Sequence, residues 1–223
     1  MAALPTVAFK PVQEVLESEG VVPERYIKHK DEHTQEEGDV LLPMMDCTII
    51  DLVLLSSSSP QELAKLHSAL NSWGCVQVVN HGMTSLFLEE VRGVIKQFFA
   101  QPTNEKEKYF RKEASSSSDA PLQGYANDDV YQQKTLNWND NMHLLLFPLA
   151  KCKFELWPQK PSNFRFNFYP RCPASNQVDG LKPHGDGSAI TIVLQDNKIE
   201  GLQILKDAAR DASMAAVAAW AVA

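Results

Sequence analysis

Cysteine is scarce and unpatterned in this chain: four in 223 residues, at positions 47, 75, 152 and 172, with no CxxC pair among them. That spacing excludes a zinc finger and a disulfide-stapled secreted scaffold, and it suits reduced thiols in a cytoplasmic protein. Long apolar runs are missing as well. No stretch approaches the roughly 20 uninterrupted apolar residues of a membrane-spanning helix. The first residues carry no basic region followed by an apolar core, so the expectation is a soluble, cytoplasmic protein with no membrane partner. Positive charge is in deficit, 21 Lys and Arg against 28 Asp and Glu, for a net charge of -7. Phosphate backbones need clustered cations, and none cluster here, so nucleic acid is not an expected partner. What remains is ample for a packed core: 44% of residues are hydrophobic, over a length that allows one ordinary domain or two small ones.

The first half of the chain has the punctuation of scaffold. Val12, Val15 and Leu16 suit a short helix closed by Gly20, and Lys28 to Asp39 form a polar loop. The apolar run from Leu41 to Leu55 predicts a buried strand followed by a turn. Ser59, Pro60 and Glu62 are the cap, first position and acid of a helix start. Leu63, Leu66 and Leu70 then define a buried helix face. His67 beside that face is structural, because a metal needs converging partners. Trp73 to Gly82 predict a helix stop, a strand and a turn, with His81 in the turn. From Ser85 to Ala100, Phe87, Leu88, Val91, Val94, Ile95, Phe98 and Phe99 form the apolar stripe of an amphipathic helix. Asn104 is the expected cap of a short charged helix, and residues 143 to 147 the following strand.

The chemistry concentrates between Asn163 and Asp207. His184, Gly185 and Asp186 form a His-x-Asp pair ahead of the β-branched run Ala189 to Leu194, which predicts a strand. Side chains two apart on a strand share a face, so an imidazole and a carboxylate there converge on one object. A neutral imidazole with a hard carboxylate suits a divalent metal such as Fe(II), with a third ligand drawn from elsewhere. Upstream stands Asn167-Phe168-Tyr169-Pro170-Arg171-Cys172-Pro173, and downstream Gly201-Leu202-Gln203.

In this order and spacing, these elements resemble the plant-type Fe(II)/2-oxoglutarate-dependent dioxygenases, in their codeine demethylase-like and flavonol synthase-like branch. Trp73-Gly74 with Asn80-His81-Gly82, and the Gln123-Gly124-Tyr125 and Leu136-Asn137-Trp138-Asn139-Asp140 segments, match the same family. The resemblance implies an α+β fold, with N-terminal helices and strands on a distorted double-stranded β-helix, or jelly roll. It implies Fe(II) on His184 and Asp186, and 2-oxoglutarate as cosubstrate contacted by Asn167 and Tyr169. O2 and a small organic substrate are the further expected partners, with ascorbate supportive. Such enzymes hydroxylate, desaturate or demethylate, and nothing in this sequence selects among the three.

Two departures from the family pattern complicate these expectations. The stretch Trp157-Pro158…Phe164-Arg165 abuts Phe166-Asn167, where the family has several dozen residues between the equivalents of the two. After Asp207 the chain runs AARDASMAAVAAWAVA, in place of the family's second metal-binding His and its Arg-x-Ser pair. The expected division is therefore 1-150 as the N-terminal dioxygenase region, 151-207 as a partial jelly-roll core, and 208-223 as a divergent Ala-rich tail. Alanine content predicts a short helix in that tail, with Met214, Val217 and Ala221 on one face. A core of this kind leaves unpaired strand edges and apolar surface, which favours aggregation.

Overall fold

The computed structural model describes residues 10–28, 46–111, 123–127, 135–145, 147–157, 165–184, 190–199, 201–204 and 217–221. They fall into two compact units, one made of Met1–Glu37 with Ile95–Lys182 and the other of Gly38–Val94 with Pro183–Ala223.

In the second of these units, β1 (Ile49–Asp51) leads into the short helix α2 (Leu52–Ser56). Asp51 makes that transition by capping the helix, its carboxylate accepting from the amides of Val53 at 2.8 Å and Leu54 at 3.1 Å. Helix α3 (Pro60–Ser72) starts as the sequence predicts, with Ser59 accepting from the Glu62 amide and Pro60 in the first turn. Its buried face differs by one position from the expected Leu stripe: Leu63 is 58% exposed, while Glu62 is buried. The Glu62 carboxylate accepts from the Asp51 amide at 2.7 Å. It therefore takes the inward position, and Leu66, Ala69 and Leu70 complete the face. Gly74, at φ 71, ends the helix in the left-handed region that glycine tolerates. Strand β2 (Cys75–Val79) then pairs in parallel with β1. Ile50, Ala69, Val76 and Val78 form the buried cluster between these strands and α3.

The remaining strands of that sheet are β6 (Ile190–Val193) and β7 (Val217–Ala221), in the order β1-β2-β7-β6, all parallel. Within the tail, Val217–Ala221 is thus a strand where alanine content predicts a helix, and residues 208–216 lie outside the described residues. Intrinsic propensity is a weak prior, and a short isolated helix is marginal in water. A slot between two strand edges offers backbone hydrogen bonds on both sides. Helix α4 (Ser85–Phe99) matches its predicted span, and the boundary between the units falls within it, after Val94.

The first unit opens with α1 (Val12–Glu19), closed by Gly20 at φ 67. Val12 and Val15 pack with Tyr26, Leu136, Trp138 and Val178 in one buried cluster. Helix α5 (Thr103–Lys106) begins one residue before the predicted cap, because the Pro102 carbonyl accepts from Glu105 at 3.0 Å. Strands β3 (Gly124–Ala126), β4 (Asp140–His143) and β5 (Arg165–Phe168) form an antiparallel sheet with β4 in the middle. A second cluster, Phe98, Phe99, Tyr125, Met142 and Leu144, packs with Phe166 and Phe168. Phe99 stacks on Phe168 with centroids 4.8 Å apart. The observed β4 lies three residues ahead of the strand expected at 143 to 147. Its buried positions include Asp140 and Asn141, and a search for apolar runs passes over hydrogen-bonded polar residues inside a strand.

Removal of residues 208 to 223 strips β2 and β6 of a neighbour. At about 1 kcal/mol net per backbone hydrogen bond, the shortened chain should lose several kcal/mol in urea unfolding and become less soluble. Unchanged unfolding would show that β7 contributes nothing to the sheet.

Candidate metal and cosubstrate site

His184 is exposed and lies on the approach to β6, six residues before the strand begins at Ile190. Asp186 lies outside the described residues. Among the described residues, no group of three or more His, Cys, Asp and Glu side chains is arranged to hold a metal ion. The other described histidines have local settings. His67 is exposed on α3 beside the Asn71 amide at 3.2 Å. His81 Nδ1 accepts from the Met83 amide at 3.2 Å and braces the turn in which Asn80 takes φ 52. His143 ends β4 in the first unit, opposite Gly124 and Arg165.

Asn167 and Tyr169 belong to the first unit and come from β5 and its exit. Phe166 and Phe168 turn toward the aromatic cluster, so alternation puts Arg165, Asn167 and Tyr169 on the other face. Register places Asn167 opposite Asn141 of β4. Tyr169 is about half exposed. Its ring lies so close to Gly180 that a Cβ there would stand 3.1 Å from Cδ1. Burial pushes the Tyr169 phenol above its ordinary pKa, against the opposing pull of Arg165 and of the Asn139 side chain. The phenol is therefore neutral at pH 7. One face thus presents a guanidinium, an amide and a phenol, a donor set suited to a carboxylate ligand.

Behind this face runs a belt of buried polar groups. Asp140 is fully buried. Its Oδ1 accepts from the Val12 amide at 2.9 Å, and the Gln13 amide reaches it as well. Helix α1 has Pro11 at its N-cap and no side-chain cap of its own, so β4 supplies one from 128 residues away. Nearby, buried Lys106 donates to Gln13 Oε1 at 2.6 Å and Phe99 O at 3.3 Å, with its Nζ 5.7 Å from the Tyr125 ring centre. Burial pushes the Asp140 carboxyl up to about 6, opposed by the helix amides, Lys106 and the Tyr125 hydroxyl. Arg111 donates to Asn141 Oδ1 at 3.0 Å and Gly124 O at 3.3 Å. Asn127 bridges the carbonyls of Asn137 and Asn139 at 2.8 Å each. Trp138 Nε1 donates to the Pro170 carbonyl at 3.1 Å, anchoring the exit of β5. The sequence flagged the segment 136–140 only as a match to a family motif. Arg111 carried no signal at all, since its partners are distant in the chain.

Residues 47–160 match the family model described as the N-terminal region of the non-haem dioxygenase in morphine synthesis, and residues 161–218 match that of the 2OG-Fe(II) oxygenase superfamily. The chain belongs to the Fe(II)/2-oxoglutarate-dependent dioxygenases. It is 29% identical to the oxoglutarate-dependent flavonoid 7-O-demethylase 1 of Ocimum basilicum, over 83% of this chain and 60% of that protein. To the codeine O-demethylase of Papaver somniferum it is 32% identical, over 71% of this chain and 56% of that one. A crystal structure of JOX2 in complex with 2OG, Fe and JA superposes with TM-score 0.61 at 26% identity, covering 79% of this chain and 61% of JOX2. The chain thus spans somewhat under two thirds of the length of these proteins. The fold is of the expected α+β class, and its small sheets form an incomplete jelly-roll core among the described residues. No helix among the described residues is long and apolar enough to cross a membrane.

Asp140 generates a pH prediction. Its folded pKa of about 6 stands above the unfolded value near 3.8, so the folded state holds a proton that the unfolded chain releases between those two values. The stability contributed is therefore absent above pH 6, grows as pH falls through 6, and is complete below about 4. At about 1.4 kcal/mol per pKa unit, the gain is on the order of 2–3 kcal/mol. Asp140→Asn keeps an acceptor for the Val12 amide and cannot titrate. Urea unfolding of wild type and Asp140→Asn at pH 7 and pH 5 should show the wild type gaining on the variant at the lower pH. Parallel pH profiles would contradict this assignment.

Proposed function

We propose that this chain takes part in Fe(II)/2-oxoglutarate-dependent oxidation of a small organic substrate by O2, in the cytoplasm. That substrate would be a specialised metabolite or a hormone-like compound. The observation that carries the proposal is the face of β5, where Arg165, Asn167 and Tyr169 stand together within the matched region 161–218. Asn167 and the neutral phenol of Tyr169 donate hydrogen bonds to a 2-oxoglutarate carboxylate without repelling it. His184 and Asp186 offer the nitrogen and carboxylate donors that suit Fe(II). Bound there, the metal would supply O2 activation coupled to conversion of 2-oxoglutarate to succinate and CO2, with ascorbate keeping it reduced. The protein's own part is to orient the cosubstrate and the organic substrate and to exclude water.

A second, non-catalytic reading rests on the donor count. The six histidines stand at 29, 33, 67, 81, 143 and 184, and the one arginine after Asp186 is Arg210, followed by Asp211 and Ala212. Among the described residues, no group of three or more His, Cys, Asp and Glu side chains is arranged to hold a metal ion. A missing charge-assisted arginine contact is worth roughly 1.5–3 kcal/mol, or one to two orders of magnitude in cosubstrate affinity. The 223-residue polypeptide alone is therefore expected to bind iron weakly and release succinate slowly.

Fe(II) titration and a succinate assay on wild type and His184→Ala decide between the readings. Weak iron binding with slow succinate release, both lost in the variant, is the expected result. Tight stoichiometric iron and robust succinate in wild type alone would overturn the second reading. Iron binding that is indifferent to His184 would overturn the assignment of the ligand.

A further inference from the structure

Cys47 and Cys75 lie together in the parallel sheet, a pairing that their separation in sequence conceals. β1 and β2 pair with Ile49 opposite Gln77 and Ile50 opposite Val78. The ladder continues one residue upstream, where the Gln77 amide donates to Thr48 O at 2.9 Å. Stepping back two residues on both strands puts Cys47 opposite Cys75. Adjacent strands run about 4.8 Å apart, inside the roughly 4.4–6.8 Å window for the Cα atoms of a disulfide. This register sets the two thiols side by side, and each bears on the titration of the other. Cys75 is buried and Cys47 half-buried, and both are reduced.

We propose that Cys47 and Cys75 form a reversible cross-strand disulfide when the protein meets a peroxide. Cys47 is the attacking residue, since it is half-buried where Cys75 is buried, so its sulfur is the one a peroxide reaches. Its thiolate attacks the peroxide O–O bond and becomes a sulfenic acid, with water as the other product once the leaving oxygen takes up protons. The Cys75 sulfur then attacks the Cys47 sulfur and expels its oxygen as a second water. Two thiols and one hydrogen peroxide thus give one disulfide and two waters. Burial holds both thiols above their ordinary pKa, Cys75 at about 11, so the reaction is slow at neutral pH. Its rate should rise about tenfold per pH unit while the thiols stay mostly protonated.

The test is peptide mapping of the reduced 223-residue chain after hydrogen peroxide at pH 7, 8 and 9, with a urea-denatured sample as control. The expected product is a Cys47–Cys75 link in the native chain, forming faster at each higher pH, with Cys152 and Cys172 still open to alkylation. In Cys75→Ser, Cys47 should be captured by dimedone as the sulfenic acid. The proposal is overturned if Cys47 and Cys75 stay alkylatable while the other thiols oxidise, or if the native chain gives the same mixed pairs as the denatured control. Dimedone capture at Cys75 in Cys47→Ser, without capture at Cys47 in Cys75→Ser, would overturn the order of attack. Because the readout involves neither iron nor 2-oxoglutarate, it stands or falls apart from the proposed oxygenase function.

Discussion

The Asp140 carboxylate, buried in the central strand of the antiparallel sheet, is the constraint on which the first unit depends. It caps α1 from the far side of the sequence, and the same strand pairs β3 on one side and β5 on the other. A carboxylate out of water is costly unless hydrogen-bonded and compensated. Two amides of α1, the nearby Lys106 ammonium of α5 and the Tyr125 hydroxyl of β3 offset part of that cost. The partners of this one group therefore tie α1, α5 and β3 to β4.

The consequence for function runs through β5. Its register against β4 sets Asn167 opposite Asn141, and Asn141 is itself held by Arg111. Asn139, the neighbour of Asp140, contacts the Tyr169 hydroxyl. The residues assigned to the cosubstrate thus inherit their positions from the buried polar belt. Apolar packing of Phe99 on Phe168 secures the opposite face of the same strand.

Much of this was legible in the sequence where local physical chemistry decides the outcome. Ser59 with Pro60, Gly20, Gly74 and the stripe of α4 mark their elements because caps, left-handed glycines and helical periodicity act over a few residues. The family motifs around Asn167, Tyr169 and His184 were legible too. Long-range polar pairing was not. Asp140 and Asn141 hid β4 from a search for apolar strands, and Glu62 took the inward place expected of Leu63 through a bond to Asp51. The tail's strand depends on edges presented by β2 and β6, which no property of an alanine-rich segment announces. Cys47 and Cys75 become neighbours only when the register of β1 and β2 is known.

Amide hydrogen exchange in wild type and Asp140→Ala, read residue by residue, tests the central role of the buried carboxylate most directly. Val12 and Gln13, the α1 amides that reach Asp140, and the paired amides of β4 and β5 around Asn141 and Asn167 should lose protection together, while β1 and β2 of the other unit keep theirs. Loss confined to Val12 and Gln13, with β4 and β5 still protected, would contradict the account: Asp140 would then be a local helix cap and nothing more.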